Sequence, residues 1–379
     1  NSAAAYLQFA NSEPWSLTLQ CPKCGSDRTQ SRGKYESGTP RMLCKDCKKS
    51  SPQVDHFAAP AGHSVKGVST LHDADGKVAM QWVKTTVSEA QRETAMRIAA
   101  EELAKPLKGT AKRVAAPKRN LRNSLSSYNI GDGHLGMYAW AAETGVDFDT
   151  DIAAKDLRAA IDHLVDSAPA SDTAYLLDLG DFTHADNRRN MTPESGNLLD
   201  VDSRFQRVIR IAVGVLRYGV LRLLEKHNKV EVFCVPGNHN PDSAGWMALL
   251  LAAHFESEPR VKVETSPSKF YYRQFGKSLI GITHGDKIKF QDLPSIMAAD
   301  QPEAWGATKH RYWWCGHVHH TKHQEFRGCF VETFNTLAAS DAWHHASGYR
   351  SARQMQRIDV DAEHGIYARG ICNIGMIRP

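Results

Sequence analysis

Five short segments of this sequence set glycine or threonine beside side chains that bind divalent metals: Gly131-Asp132-Gly133-His134, Gly180-Asp181-Phe182-Thr183-His184, Gly237-Asn238-His239-Asn240, Thr283-His284-Gly285-Asp286 and Gly316-His317-Val318-His319. Mixed imidazole, carboxylate and carboxamide donors suit manganese, iron, zinc or nickel, whereas calcium prefers an all-oxygen shell and soft metals prefer thiolate. With 18 histidines in the chain, one such fragment alone is ordinary. Five in series, each following an apolar run, point to one pocket fed from distant positions. Divalent ions held there would lower the pKa of a bound water and so could supply a nucleophile without a side chain.

A second donor set lies near the start. Cys21-Pro22-Lys23-Cys24 and Cys44-Lys45-Asp46-Cys47 have the C-x2-C-x19-C-x2-C spacing of a zinc site. Four thiolates close a tetrahedral shell, which makes this zinc structural. Cys234, Cys315, Cys329 and Cys372 are scattered, so reduced thiols and a cytoplasmic setting are expected rather than a disulfide framework.

Apolar runs that could carry the five segments are Leu125–Ile130, Ala174–Leu179, Val230–Val235, Leu279–Thr283 and Arg311–Cys315, with a further strand at Cys329–Phe334. Helical patterns lie near Ile152–Ser167, Ser203–His227 and Ala244–Glu256. Such alternation predicts an α/β sandwich or layered sheet, and in α/β sheets ligand sites gather at the carboxyl ends of strands. Upstream, Gly67–Leu71 and Val78–Val83 flank a turn-forming Asp73-Ala74-Asp75-Gly76, which predicts a hairpin. Ser88-Glu89-Ala90-Gln91 has capping-box spacing and opens a helix to Leu103. Residues 105–123 carry seven basic residues, no acidic one, and Pro106, Gly109 and Pro117, the pattern of a basic linker. The expected organisation is a tail over 1–20, a ribbon over 21–50, a hairpin and helix over 51–104, the linker, and one large domain over 124–379.

The ordered series D-x-H, G-D, G-N-H, H-G, G-H-x-H resembles the calcineurin-like metallophosphoesterase superfamily across residues 124–379. The resemblance implies a β-sandwich flanked by helices. It also implies a first metal held by Asp132, His134 and His319, a second by Asn238, His284 and His317, and Asp181 bridging both. His239 is similar to that family's general acid, although Asn240 stands where the family usually has an acidic residue. His184, fifth in its segment, resembles an assisting histidine of the SbcD-like nuclease branch. Arg188 and Arg189 follow in a polar stretch and are candidates to hold substrate phosphate. The four-cysteine segment resembles the zinc ribbon of transposase-associated DNA-binding proteins, which implies a bacterial, phage or mobile-element setting. His320, His323, His344 and His345 are left without a role.

Charge divides along the chain. Residues 1–123 hold 20 Lys+Arg against 11 Asp+Glu, a net of +9, and residues 124–379 hold 27 against 31, a net of −4. A basic first third with Lys45, Lys48 and Lys49 beside the ribbon suits a polyanion, and DNA is the expected partner ahead of RNA. No apolar run approaches the ~20 residues that span a bilayer. The sequence opens on Asn1 rather than Met, which is read as trimming or a lost initiator. The functional expectation is a metal-dependent nuclease with two divalent ions, manganese ahead of iron, zinc, nickel or magnesium, plus one structural zinc. A phosphodiesterase or phosphatase for a nucleotide-sized substrate, and a non-catalytic nucleic-acid-binding scaffold, stay open as alternatives.

Overall fold

The computed structural model describes residues 21, 24, 26–34, 40–52, 63–72, 78–87, 94, 98, 104–118 and 120–378. The expected tail, the turn at 73–76 and the capped helix from Ser88 lie outside the described residues, apart from helical Thr94, Ile98 and Ala104. The chain divides into two units, Asn1–Met96 and Arg97–Pro379. In the first, β1 (Thr29–Lys34), β2 (Pro40–Cys44) and β3 (Ser50–Pro52) form an antiparallel sheet. Strands β4 (His63–His72) and β5 (Val78–Val87) pair antiparallel, with Val68 opposite Val83 and Leu71 opposite Met80, a longer hairpin than the apolar runs alone indicated.

The second unit is built on two sheets. Strands β6 (Leu121–Ile130), β7 (Ser171–Asp178), β8 (Lys229–Cys234) and β9 (Val261–Val263) run parallel in one sheet. The other contains β10 (Tyr271–Phe275), β11 (Ser278–Thr283), β12 (His310–Cys315), β13 (Lys322–Glu325) and β14 (Phe330–Thr333) in the order β10-β11-β12-β14-β13. Two more strands, β15 (Gln354–Asp361) and β16 (Gly365–Asn373), complete the first sheet, whose order is β16-β15-β6-β7-β8-β9. Sequence periodicity did not indicate this last hairpin.

Side-chain alternation makes the layers. Leu177, Leu179, Phe233 and Val235 from the first sheet meet Ile280, Ile282, Trp314 and Phe334 from the second in a shared core. Their sequence neighbours Leu176, Val230 and Val232 face the opposite way and pack on helices α1 (Thr150–Asp166), α2 (Phe205–Leu224) and α3 (Pro241–His254). Leu279, Trp313 and Cys315 face outward from the second sheet onto Leu293 and Met297 of α4 (Leu293–Asp300). Period-2 strands therefore bury both faces of both sheets, and a mixed α/β sandwich flanked by helices results. Asp149 starts α1 by accepting the Ile152 N–H at 2.8 Å.

The basic stretch over 105–123 makes backbone contacts with the second unit's helices and strands. Gly109 N–H donates to Ala253 O at 2.9 Å and Ala111 N–H to His254 O at 3.1 Å, while Arg260 Nη1 donates to Val114 O at 2.8 Å. The Ala253 and His254 carbonyls belong to the last turn of α3, where the i to i+4 pattern runs out, and a strap without regular structure supplies them with further donors.

A buried polar network threads the first sheet. His227 meets Tyr128 Oη at Nε2 and Ser171 at Nδ1, each at 2.9 Å, and Ser171 Oγ donates to Ser126 Oγ, which donates to Asp359. Burial pulls the His227 imidazole down to about 4. The ring stays neutral in the fold yet takes a proton near pH 6.5 when unfolded. Its contribution is complete above about pH 6.5 and is lost as pH falls toward 4. Between pH 7 and 5 the native protein should lose ~2 kcal/mol more unfolding free energy than His227→Gln, measured by urea denaturation; parallel losses in the two proteins would count against the network.

Candidate metal centre

Each of the five donor segments follows a parallel strand: β6, β7 and β8 in the first sheet, β11 and β12 in the second. The strand ends converge where the sheets meet. Asp132, His134 and His319 place one donor atom each within 4.8 Å of one another, as do Asp181, His284 and His317, and as do His134, His184 and His239. Asn238 joins the second group through Oδ1, 3.1 Å from His284 Nε2. All seven expected metal donors, together with His239 and His184, are thus brought to one place.

The backbone is strained there. Asp132, His134, Asp181, His317 and His319 have φ of 38°, 43°, 52°, 73° and 57°, a left-handed region that costs non-glycine residues on the order of 1–3 kcal/mol each. Five of the nine described non-glycine residues with positive φ are therefore donor residues. Their short turns reverse the chain at once after a strand and aim the next side chain back over the sheet end. Gly180 (φ 98°) and Gly237 make room for this, since a Cβ on the first would fall on the His284 ring and one on the second on the Asp181 carboxylate.

Two carboxylates form the floor. Asp132 is fully buried and takes the His317 N–H on both oxygens at 3.0 Å, while its own carbonyl accepts from Thr336 Oγ1 at 2.6 Å. Asp181 is equally buried and takes the His239 N–H at 2.8 Å. Buried carboxylates call for cations. Burial drives the His284 imidazole down, but Asp181 at 3.1 Å overrides it and holds the ring above its ordinary range. His319 is raised in the same way, against burial, by Asp132 at 3.4 Å. His134 is pulled well below its ordinary value by burial first and then by the neighbouring imidazoles, which favours the neutral ring, the form that offers one nitrogen to a metal. A donor set of this charge and type fits two divalent ions of the first transition row.

Burial separates floor from rim. Asp132, His134, Asp181, His184 and His284 are buried, whereas Asn238, His239, His317 and His319 are only partly covered. His239 Nδ1 donates to the His184 carbonyl at 2.8 Å, leaving Nε2 available on the open side. His184 stacks on His239 at 5.2 Å, with its Nδ1 3.2 Å from His134 Nδ1, and burial pushes it down to about 3. Asn240, beside His239 in sequence, is bonded elsewhere than to its imidazole. Its Oδ1 accepts the N–H groups of Asp181 and Gly237 at 2.9 and 3.0 Å and ties the β7 and β8 loops together.

Three supporting residues went unread in the sequence. Asp186 accepts the Asp242 and Ser243 N–H groups at 2.8 Å each and so caps α3 from the β7 loop. His344 stacks on His319 at 5.0 Å, and Asp341 holds its Nδ1 at 2.7 Å. A D-x-x-H spacing at 341–344 was the available signal, since Asp341 also caps its short helical turn. Arg188 and Arg189 are exposed; the Arg188 guanidinium lies beside the Gln206 carboxamide, and the Arg189 N–H donates to Asn187.

In the first unit, the four cysteines also converge within 4.8 Å. Cys21 and Cys47 sulfurs are 3.6 Å apart and those of Cys24 and Cys44 3.5 Å, close to the ~3.8 Å edge of a tetrahedral zinc–tetrathiolate shell with ~2.3 Å bonds and far from a disulfide. Hydrogen bonding from the Cys47 backbone lowers the Cys44 thiol, while Cys24, although a Ser26 backbone hydrogen bond lowers it, is raised on balance by the Cys44 thiol and by burial. The set fits zinc.

No family model matches the sequence, and no curated protein is detectably similar to it. Among solved structures, a conserved uncharacterized protein and predicted phosphoesterase from Streptococcus pneumoniae aligns over 66% of this chain and 98% of its own, at 11% identity and TM-score 0.27. An archaeal phosphodiesterase aligns over 66% and 99%, at 14% identity and TM-score 0.33. Vps29 with zinc from Entamoeba histolytica aligns over 66% and 99%, at 10% identity and TM-score 0.28.

Elemental analysis of the native protein should return about three ions per chain, one of them zinc. Gly237→Ala should keep the ribbon zinc and lose the other two, because the added methyl displaces Asp181; full metal content in that variant would contradict the site.

Proposed function

We propose that this chain is a metal-dependent phosphodiester hydrolase that cuts DNA. The single observation that carries the reading is the convergence of seven oxygen and nitrogen donors from five strand ends, five of them on strained backbone. Asp132, His134 and His319 would hold one divalent ion and Asn238, His284 and His317 the other, with Asp181 shared. Manganese heads the candidates, and iron, zinc, nickel and magnesium follow. When bound, such a pair supplies Lewis acidity and an activated water at neutral pH.

The protein's own groups do the rest. His239 is anchored by its Nδ1–H on the His184 carbonyl, so Nε2 is the atom that hands a proton to the departing oxygen. His184 acts as a positioning residue, through its carbonyl and through ring stacking on His239. Arg188 and Arg189, exposed on the loop that follows Asp181, are the cations assigned to the substrate backbone.

DNA is preferred as substrate because of the chemistry of the first 123 residues, the first unit together with the basic stretch that follows it. Lys45, Lys48 and Lys49 are exposed beside the cysteine cluster, and residues 1–123 carry a net charge of +9, from 20 basic and 11 acidic residues. Phosphate contacts of this kind release counterions and bind nucleic acid without reading sequence.

With manganese, the protein should cleave labelled DNA faster than RNA, cyclic nucleotides or a chromogenic diester; turnover confined to the small esters would defeat the nuclease reading. His239→Ala should lower kcat by about 100-fold to 10,000-fold, and Asp181→Asn should abolish turnover together with metal binding. Lys45, Lys48 and Lys49 changed together to Gln should weaken binding to long DNA and flatten the dependence of log Kd on log salt.

A further inference from the structure

A cleft of about 240 Å3 opens beside His319, bounded by Thr336, His344, Tyr349, Arg350 and Arg353, with the small residues Ala338 and Ala339 along it. It shares His319 with the metal donors, so a ligand in it lies next to whatever the metals hold. Its walls are aromatic. Tyr349 is 43% exposed and stacks on Trp343, itself 63% exposed, with ring centres 5.7 Å apart and planes at 30°. His344 meets Tyr349 edge-on at 5.4 Å and 70°. Two large rings left in water beside a metal site are an unfavourable surface unless a flat partner covers them.

Charge narrows the partner. Arg353 is already engaged, donating to the Leu337 carbonyl, pairing with Asp156 and lying over the Phe148 ring. Arg350 donates from Nη1 to the His345 and Tyr349 carbonyls at 3.0 and 2.8 Å, which pins the Tyr349 backbone. The cleft therefore offers ring faces and small side chains beside the exposed Arg350 guanidinium, which is held on backbone carbonyls through Nη1 and pairs with no carboxylate among the described residues. A planar group would find a stacking surface on the rings, with the Arg350 guanidinium at its edge to meet polar ring atoms.

We propose that this cleft is a nucleobase subsite in which Tyr349, backed by Trp343, stacks an unpaired base of the nucleotide whose phosphate lies at the metal centre. The proposal rests on the phosphodiesterase reading of that centre and extends it to substrate form. Both faces of a base in duplex DNA are covered by its neighbours, so a strand must be single or frayed for a base to reach this shelf.

The test is calorimetric binding to the manganese-loaded full chain of deoxyadenosine 5′-monophosphate and of deoxyribose 5-phosphate, which lacks the base. Native protein should favour the nucleotide by about 10-fold to 100-fold. Tyr349→Phe should keep that preference and Tyr349→Ala should reduce it to near one, a ratio that a general loss of folding would not move. Equal affinity for the two ligands in native protein, or a preference that survives Tyr349→Ala, would overturn the subsite. If DNA is cleaved and Tyr349→Ala leaves the preference intact, the subsite falls and the nuclease reading stands. If the preference depends on Tyr349 but no DNA is cleaved, the subsite stands with a small nucleotide as substrate and the nuclease reading falls.

Discussion

Two carboxylates withdrawn from water at the ends of adjacent strands govern the arrangement around them. Asp132 and Asp181 are buried, and an isolated buried carboxylate is too unfavourable to persist unless hydrogen bonds and cations compensate. Each therefore serves as a junction. Asp132 holds the loop after β12 through the His317 N–H, which links the two sheets. Asp181 holds the loop after β8 through the His239 N–H, and its own N–H is held by Asn240 from that same loop.

The sandwich is what makes such junctions available. Parallel strands of two sheets end on the same side, and the core between them, from Leu177 and Phe233 to Ile282 and Trp314, fixes the spacing of those ends. Positive φ values at Asp132, His134, Asp181, His317 and His319 store strain that this packing must overcome. The result is a preorganised floor. Its side chains are held by hydrogen bonds of the protein itself, and the partly covered Asn238, His239 and His319 with the exposed His317 form its open rim.

Support for the rim comes from a second tier. Asp341 fixes His344, His344 stacks on His319, and Tyr349 and Trp343 extend that aromatic stack outward. On the other flank, the His184 carbonyl and ring fix His239. In the first unit the same logic of converging donors is met with thiolates alone, which gives a closed shell suited to holding chain together rather than to chemistry.

The amino-acid sequence alone determined the identity of the donors and the six strands that it marked as apolar runs, because metal ligation needs particular atoms and buried parallel strands need near-continuous hydrophobic residues. It also determined the cysteine cluster, whose spacing is local. Other features depended on the tertiary structure. Strand β15 was hidden because Gln356, Arg357 and Asp359 interrupt its apolar pattern, and they are buried only because Arg357 and Asp359 pair and the Ser126 hydroxyl donates to Asp359. The N–H groups that the basic stretch over 105–118 gives to the last carbonyls of α3 are likewise visible only in the folded chain. Asn240 and His344 also reach partners 59 and 25 residues away, Asp181 and His319, and those contacts are fixed by packing; only their short-range bonds, to Gly237 and Asp341, have a local spacing behind them.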